Sequence, residues 1–380
     1  YVLMKISIKR QYFIEQLNHC LKAISPRTTL PILSGIKIDI SDDQMVLTGS
    51  DSEISIEITI PTEINNEEIL EIEETGSVVL TGRFFVDIIK KLSGEFVDLE
   101  TNESFSTKIT AGKSEFNLSG QDANQYPLLP EVSDADSLVL SSAVLKTIIN
   151  QTNFAVSLSE TRPVLTGVNW IFKDDHISFT ATDSHRLALR KLLDKTFNTD
   201  ASNAIIPGKS LSELSKILSD SEDDVEINLS QNQVLFTYGN MRFISRLLEG
   251  NYPDTTRLFP ENYETKVTVN NDEFYHAIDR VSLLAREGGN NVIRMTVENS
   301  QVELASNSPE VGTVNEEVNA SHTEGEDIKI SFNSKYMMDA LRAIQSEEVS
   351  IEFFGTMRPF TITPSDSDEV VQLILPIRTY

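Results

Sequence analysis

The chain has 380 residues, enough for two or three domains, and its 39% hydrophobic content fits a globular protein rather than a disordered one. No run of eighteen apolar residues occurs, which excludes a membrane-spanning helix, and the N-terminus lacks a basic-then-apolar secretory pattern, which points to the cytoplasm. A net charge of −26 argues at first against nucleic acid, and a single cysteine, Cys20, excludes an internal disulfide framework.

Tyr1, Val2 and Leu3 precede Met4 and read as an added remnant or an alternative start. Helical spacing then runs from Lys9 to Ile24, with Phe13, Leu17, Leu21 and Ile24 on one face. Strict alternation at Ile36–Ile40 and Glu53–Ile58 predicts strands. A second helix follows over Arg83–Leu92, its stripe formed by Phe85, Ile88, Ile89 and Leu92, and a linker falls near Glu131–Asp136. The cycle restarts with helices over Ser142–Phe154 and Lys209–Leu218 and a strand at Val225–Leu229. After a linker at Pro260–Glu264 it runs once more: helices over Asn271–Ala285 and Ser334–Ile344, then a strand at Val349–Phe353. Capping residues at Ser141–Ser142, Asn271–Asp272 and Asn333–Ser334, and Pro207 before Gly208, support the helix starts.

The second-helix starts lie 126 and 125 residues apart, and Tyr126-Pro127 and Tyr252-Pro253 keep the same step. That period is too long for a solenoid and suits a triplicated domain, with boundaries at 4–131, 137–259 and 264–380. Many strands with two helices per repeat predict an α+β fold of largely antiparallel sheets. Charge is segregated: the six helical segments together carry +8, and the rest of the chain carries −34.

Catalytic patterns are thin. No Gly-rich phosphate loop, dinucleotide fingerprint, His-Glu-x-x-His or cysteine pair occurs. Thr182-Asp183-Ser184-His185-Arg186 gathers a carboxylate, a hydroxyl and an imidazole, but strand neighbours point to opposite faces. The plainer account is a turn whose polar side chains satisfy backbone groups. A metal site on Asp183 and His185 lacks a third ligand.

Several motifs carry a resemblance. Arg27-Thr28-Thr29-Leu30-Pro31-Ile32-Leu33, Leu47-Thr48-Gly49-Ser50-Asp51, Thr182-Asp183-Ser184-His185-Arg186-Leu187, Tyr252-Pro253-Asp254 and Leu375-Pro376-Ile377-Arg378 resemble, in order, motifs of the bacterial DNA polymerase sliding clamp, the β subunit of the replicase. The resemblance spans Met4 to Tyr380. It implies three clamp-fold domains, sheets outside and helices inside, and a head-to-tail homodimer with twelve helices around a hole. Helices packed about 9 Å apart would leave a hole of roughly 24 Å, wide enough for duplex DNA. Basic inner helices and an acidic exterior then favour sequence-blind contact within the hole.

On that resemblance Arg27, Arg83, Lys90, Lys146 and Lys209 face DNA. Leu165, Thr182, His185, Arg186, Leu187, Pro253, Leu258, Met357, Pro359, Leu373, Leu375, Pro376, Ile377 and Arg378 match the family's partner-peptide pocket. Phe116 and Leu118 match one side of the ring-closing interface, and Leu283 and Leu284 the other. Ordinary core is the alternative for Leu165, Leu187 and Leu373, as it is for the interface residues. Two departures bear on peptide preference: Ser184 stands where the family has Gly, and the tail ends in Thr379-Tyr380. The resemblance implies a non-catalytic processivity factor with no cofactor or metal. Its partners would be duplex DNA, the replicative polymerase, an ATP-driven clamp loader and other replication and repair proteins. Two other readings stand beside it: a hydrolase using Asp183 and His185, and an acidic interaction protein with no DNA role.

Overall fold

The structure, a computed structural model, describes residues 2–133 and 136–379. Tyr1, Tyr380 of the tail and part of the linker expected over 131–136 lie outside the described residues. The chain forms two compact units, residues 1–145 with 213–247, and residues 146–212 with 248–380. Six helices fall at the predicted places: α1 (Arg10–Leu21), α2 (Gly82–Lys91), α3 (Ser142–Thr152), α4 (Gly208–Ile217), α5 (Asn271–Glu287) and α6 (Ser334–Ile344). Every described strand pair in the large sheets is antiparallel.

Unit 1 holds a five-stranded sheet in the order Ser114–Leu118, Thr107–Ala111, Phe96–Asn102, Val2–Lys9, Leu70–Glu74. Its larger sheet has nine strands: Gly120–Gln121, Gly76–Thr81, Gly35–Ile40, Gln44–Ser50 and Ile54–Pro61, then Met241–Arg246, Gln233–Tyr238, Asp224–Leu229 and Ser137–Ser141. The seam lies between Ile54–Pro61 and Met241–Arg246, where Ile56 faces Phe243. Helix α1 buries Phe13, Leu17 and Cys20, and Phe13 meets Phe85 of α2 edge to face with centroids 5.8 Å apart. Truncating either ring to alanine would cost about 3–5 kcal/mol through lost transfer energy and a cavity. Gly49 lets the end of α1 sit close on the Gln44–Ser50 strand: a Cβ there would lie 2.8 Å from the Cys20 carbonyl oxygen.

Unit 2 repeats the scheme. Its nine-stranded sheet runs Asn203–Pro207, Gly167–Phe172, Ile177–Thr182 and Arg186–Leu192, then Val370–Ile374, Phe360–Pro364, Glu348–Phe353, Thr265–Asn270 and Ala320–Gly325. Here Ala188 faces Gln372 across the seam. A four-stranded sheet runs Gly312–Val318, Gln301–Ser308, Val292–Glu298, Ile328–Asn333. Phe274, Ile278 and Val281 of α5 pack with Met337 and Leu341 of α6 and the buried faces of both sheets. One cap shifts from expectation: Asn270, not Asn271, caps α5 by accepting from the Glu273 amide, while Asn271 is buried and donates to the Leu341 and Ser346 carbonyls. Asn333 caps α6 as predicted.

Candidate functional site

The candidate site is built on a turn. Strand Ile177–Thr182 ends at Thr182, and Arg186 opens the next strand. Between them Asp183 Oδ1 accepts from the His185 amide at 2.9 Å and the Arg186 amide at 3.0 Å. Thr182 Oγ1 donates to the Arg186 carbonyl at 2.7 Å and accepts from the Ser184 amide at 3.2 Å. The polar side chains are thus occupied in satisfying backbone, as the turn account expects. Ser184 adopts φ 78°, the left-handed region that glycine enters without penalty.

Arg186 is engaged on every side. Its Nε donates to Asp183 Oδ2 at 3.2 Å, Nη1 to Asp339 Oδ2 at 2.7 Å and Nη2 to the Phe154 carbonyl at 3.2 Å. The guanidinium also lies 4.4 Å from the Tyr336 ring centroid and 5.4 Å from that of Phe154. Only 12% of its side chain is exposed, so it braces the turn against α6 and has few donors left for a ligand. His185 is exposed, with its ring stacked on Tyr336 at 6.5 Å.

Three adjacent strands finish at this edge. Arg186 pairs with Ile374, and Ile374 with Phe360, so His185, Leu375 and Pro359 emerge side by side. The Leu375 amide donates to the His185 carbonyl at 3.0 Å, and the Ile377 amide to the Ser331 carbonyl at 2.8 Å, which ties the tail down. Thr379 Oγ1 lies 3.2 Å from Ser331 Oγ. Leu258, Met357 and Leu375 are exposed aliphatic side chains, Pro253, Pro359, Pro376 and Ile377 are half-buried, and Arg378 is exposed. Thr182, Leu165, Leu187 and Leu373 are buried, with Leu187 opposite Leu373 in the sheet. Leu187 and Leu373 thus lie one residue inside the strand edge. Burial pushes the Tyr252 phenol up, and its hydroxyl is buried without a hydrogen-bond partner among the described residues. An exposed aliphatic rim over a rigid strand edge, with one imidazole, suits an extended apolar segment.

The other predicted residues lie apart from this edge. Arg27 follows α1 in an exposed loop; Arg83 and Lys90 are exposed on α2, Lys209 on α4, and Lys146 is half-buried on α3. Phe116 is exposed and Leu118 half-buried on the outermost strand of the five-stranded sheet. Leu283 is exposed and Leu284 half-buried on α5.

Three domain descriptions of one family match in order: DNA polymerase III beta subunit, N-terminal domain over residues 4–130, central domain over 139–254 and C-terminal domain over 256–378. The chain belongs to the DNA polymerase III beta subunit family. Beta sliding clamps of Staphylococcus epidermidis and Staphylococcus aureus are 68% and 66% identical over 378 residues, covering 100% of both chains. The DNA polymerase sliding clamp of Bacillus subtilis superposes with a TM-score of 0.95 at 50% identity, over 99% of this chain and 100% of that one. Sliding clamps are processivity factors of DNA replication and not catalysts, which closes the hydrolase reading of Asp183 and His185. The reading without a DNA role closes with it.

Proposed function

We propose that two copies of this clamp close head to tail into a ring around duplex DNA. The ring slides, and through the rim around His185 and Leu375 it tethers the replicative polymerase and other replication and repair proteins. It works in the bacterial cytoplasm, on the nucleoid during replication, and a separate ATP-driven loader opens it. The domains are taken as 4–131, 137–259 and 264–380, and neither cofactor nor metal is called for.

The observation that carries the ring is the way the sheets are joined. In unit 1 a five-strand set from the first repeat meets a four-strand set from the second; in unit 2 the second repeat's other four strands meet five from the third. Both seams use equivalent strands in equivalent register, Ile56 to Phe243 and Ala188 to Gln372. Left over are a five-stranded sheet ending at Ser114–Leu118 and a four-stranded sheet ending at Gly312–Val318. These two edges are the repeat equivalents of the strands that join elsewhere, and open edges seek a strand. A second copy supplies it, making another nine-stranded sheet at each of two related contacts.

The same register places Phe116 opposite Val314, Leu118 opposite Gly312 and Ser114 opposite Glu316. Glu316 Oε2 is buried without a hydrogen-bond partner among the described residues, and Ser114 offers a hydroxyl. Lys113 falls opposite Glu317, adding charge complementarity. Helix α5 packs on the Gly312–Val318 strand and carries Leu283 and Leu284 beside the join. Within the ring Arg27, Arg83, Lys90, Lys146 and Lys209 face the duplex, and retention comes from topology rather than affinity.

Analytical ultracentrifugation tests the join. Phe116→Asp should give monomers, Lys113→Glu should weaken the dimer, and Glu317→Lys added to Lys113→Glu should restore it. Dimers that persist in Phe116→Asp would overturn the reading.

A further inference from the structure

We infer that Asp339 on α6 is a positioning residue for the rim around His185 and Leu375, acting through Arg186 to fix how the turn presents His185. The inference rests on the proposal that this rim takes a partner peptide, and it adds a residue that lies outside the rim and outside every motif that carried the resemblance. The internal repeat supplies the comparison. Asp51 accepts from the Glu53 and Ile54 amides as Asp183 does from those of His185 and Arg186, so Ile54 is the unit 1 counterpart of Arg186. Aligned on their first residues, Gly208 and Ser334, helices α4 and α6 bury matching positions: Leu211 with Met337, Leu214 with Ala340, Ile217 with Ala343. Glu213 then stands for Asp339 and Ser210 for Tyr336. In unit 2, Arg186 Nη1 donates to Asp339 Oδ2 at 2.7 Å, and the guanidinium lies over Tyr336, the ring on which His185 stacks. In unit 1, Ile54 is buried and Glu213 pairs with Lys216 of its own helix at 3.3 Å.

The plainer account is that the pair only stabilises the fold. An ion pair at this depth, with 12% and 19% of the two side chains exposed, is by itself a weak source of stability, because desolvation offsets the attraction. Unit 1 forms the same backbone turn with an isoleucine and no ion pair there, so the turn does not need one to stand. What the pair adds is orientation. With Nε on Asp183 and Nη1 on Asp339, the planar guanidinium is held in one place beside the ring that meets His185. Asp339 does this from behind the rim. With Phe154, whose carbonyl accepts from Nη2, it lines a cavity of about 280 Å³ together with Asn150, Arg342, Ala343 and Gln345, none of them a rim residue.

The test measures peptide affinity of the full-length protein by fluorescence anisotropy. Overlapping synthetic peptides spanning the replicative polymerase are screened against the unsubstituted protein, and the tightest binder becomes the probe. Leu375→Ala should weaken its binding, which checks the rim itself. Asp339→Ala should weaken it roughly tenfold, and Asp339→Asn, which keeps an acceptor for Arg186 Nη1, should recover most of that loss. In an Arg186→Ile background, Asp339→Ala should add less than about twofold, because its route to the rim is already cut. Glu213→Ala in unit 1 should change nothing. Arg186→Ile/Asp339→Glu gives unit 2 the unit 1 pair, with Arg342 where Lys216 stands. That double variant should unfold in urea at the unsubstituted midpoint and still bind roughly tenfold more weakly. Unchanged affinity in Asp339→Ala or in the double variant would overturn the inference and leave the rim in place. Equal losses from Asp339→Ala with and without Arg186, or affinity that falls only in step with the urea midpoint, would overturn it too. A probe that binds Leu375→Ala as well as the unsubstituted protein, or no binding peptide at all, would instead bring down the rim reading, and this inference with it.

Discussion

The turn at Asp51 in unit 1 and the turn at Asp183 in unit 2 are the same backbone carrying different side chains. Asp51 Oδ1 accepts from the Glu53 and Ile54 amides at 3.0 and 2.7 Å, as Asp183 Oδ1 does from those of His185 and Arg186 at 2.9 and 3.0 Å. Ser52 and Ser184 both sit at φ 78°. In each case the residue after the turn's serine gives its carbonyl to an incoming amide at 3.0 Å, Arg246 to Glu53 and Leu375 to His185. What differs is the surface presented. Unit 1 shows Glu53 and Arg246, with Ile54 buried; unit 2 shows His185 and Leu375, with Arg186 braced beneath them. The scaffold is shared, and the peptide recognition we propose for unit 2 would be grafted onto one copy.

The largest expected effect comes from removing what braces the unit 2 turn. Arg186→Ala takes the guanidinium from the largely buried Asp339 and Asp183 carboxylates, leaving Asp183 only its two backbone amides, and should cost about 3 kcal/mol in urea unfolding. It should also weaken binding of an aliphatic partner peptide. Ile54→Ala, its counterpart, should cost a similar 2–4 kcal/mol by roughly the usual cavity penalty yet leave peptide affinity unchanged. Peptide loss in both variants would break the distinction between the turns. Next, Asp183→Ala and Asp51→Ala each orphan two backbone amides and should each cost about 1–3 kcal/mol, with peptide affinity falling for Asp183→Ala alone. Ser184→Gly and Ser52→Gly relieve the same left-handed strain and should each stabilise by about 1 kcal/mol or less. Unequal gains would show that one serine side chain makes contacts the other does not. Smallest in stability, within about 0.5 kcal/mol, should be His185→Ala, which sharpens the comparison by weakening peptide binding alone.

Much of this architecture was legible in the chain because it depends on local periodicity. The stripe of Phe274, Ile278 and Val281 marks α5, and the alternation at Ile54–Ile58 marks a strand, since each must bury one face. The Asp183 turn was legible through its residue types. The seams were not: nothing near Ile56 announces that it faces Phe243, because pairing across 187 residues is a tertiary outcome. For the same reason two compact units cut through the central repeat, whose two sheets each continue into a neighbour. At the candidate site, motif matching found Arg186 but not its use, since Asp339 lies 153 residues away.

The central claim is that DNA is held by topology. The most direct test loads the protein on nicked circular plasmid with its loader and ATP, isolates the complex and cuts the circle once. A closed ring should remain on intact circles and run off the linear product. Equal retention on circular and linear DNA would mean that contacts hold the duplex, and would contradict the account.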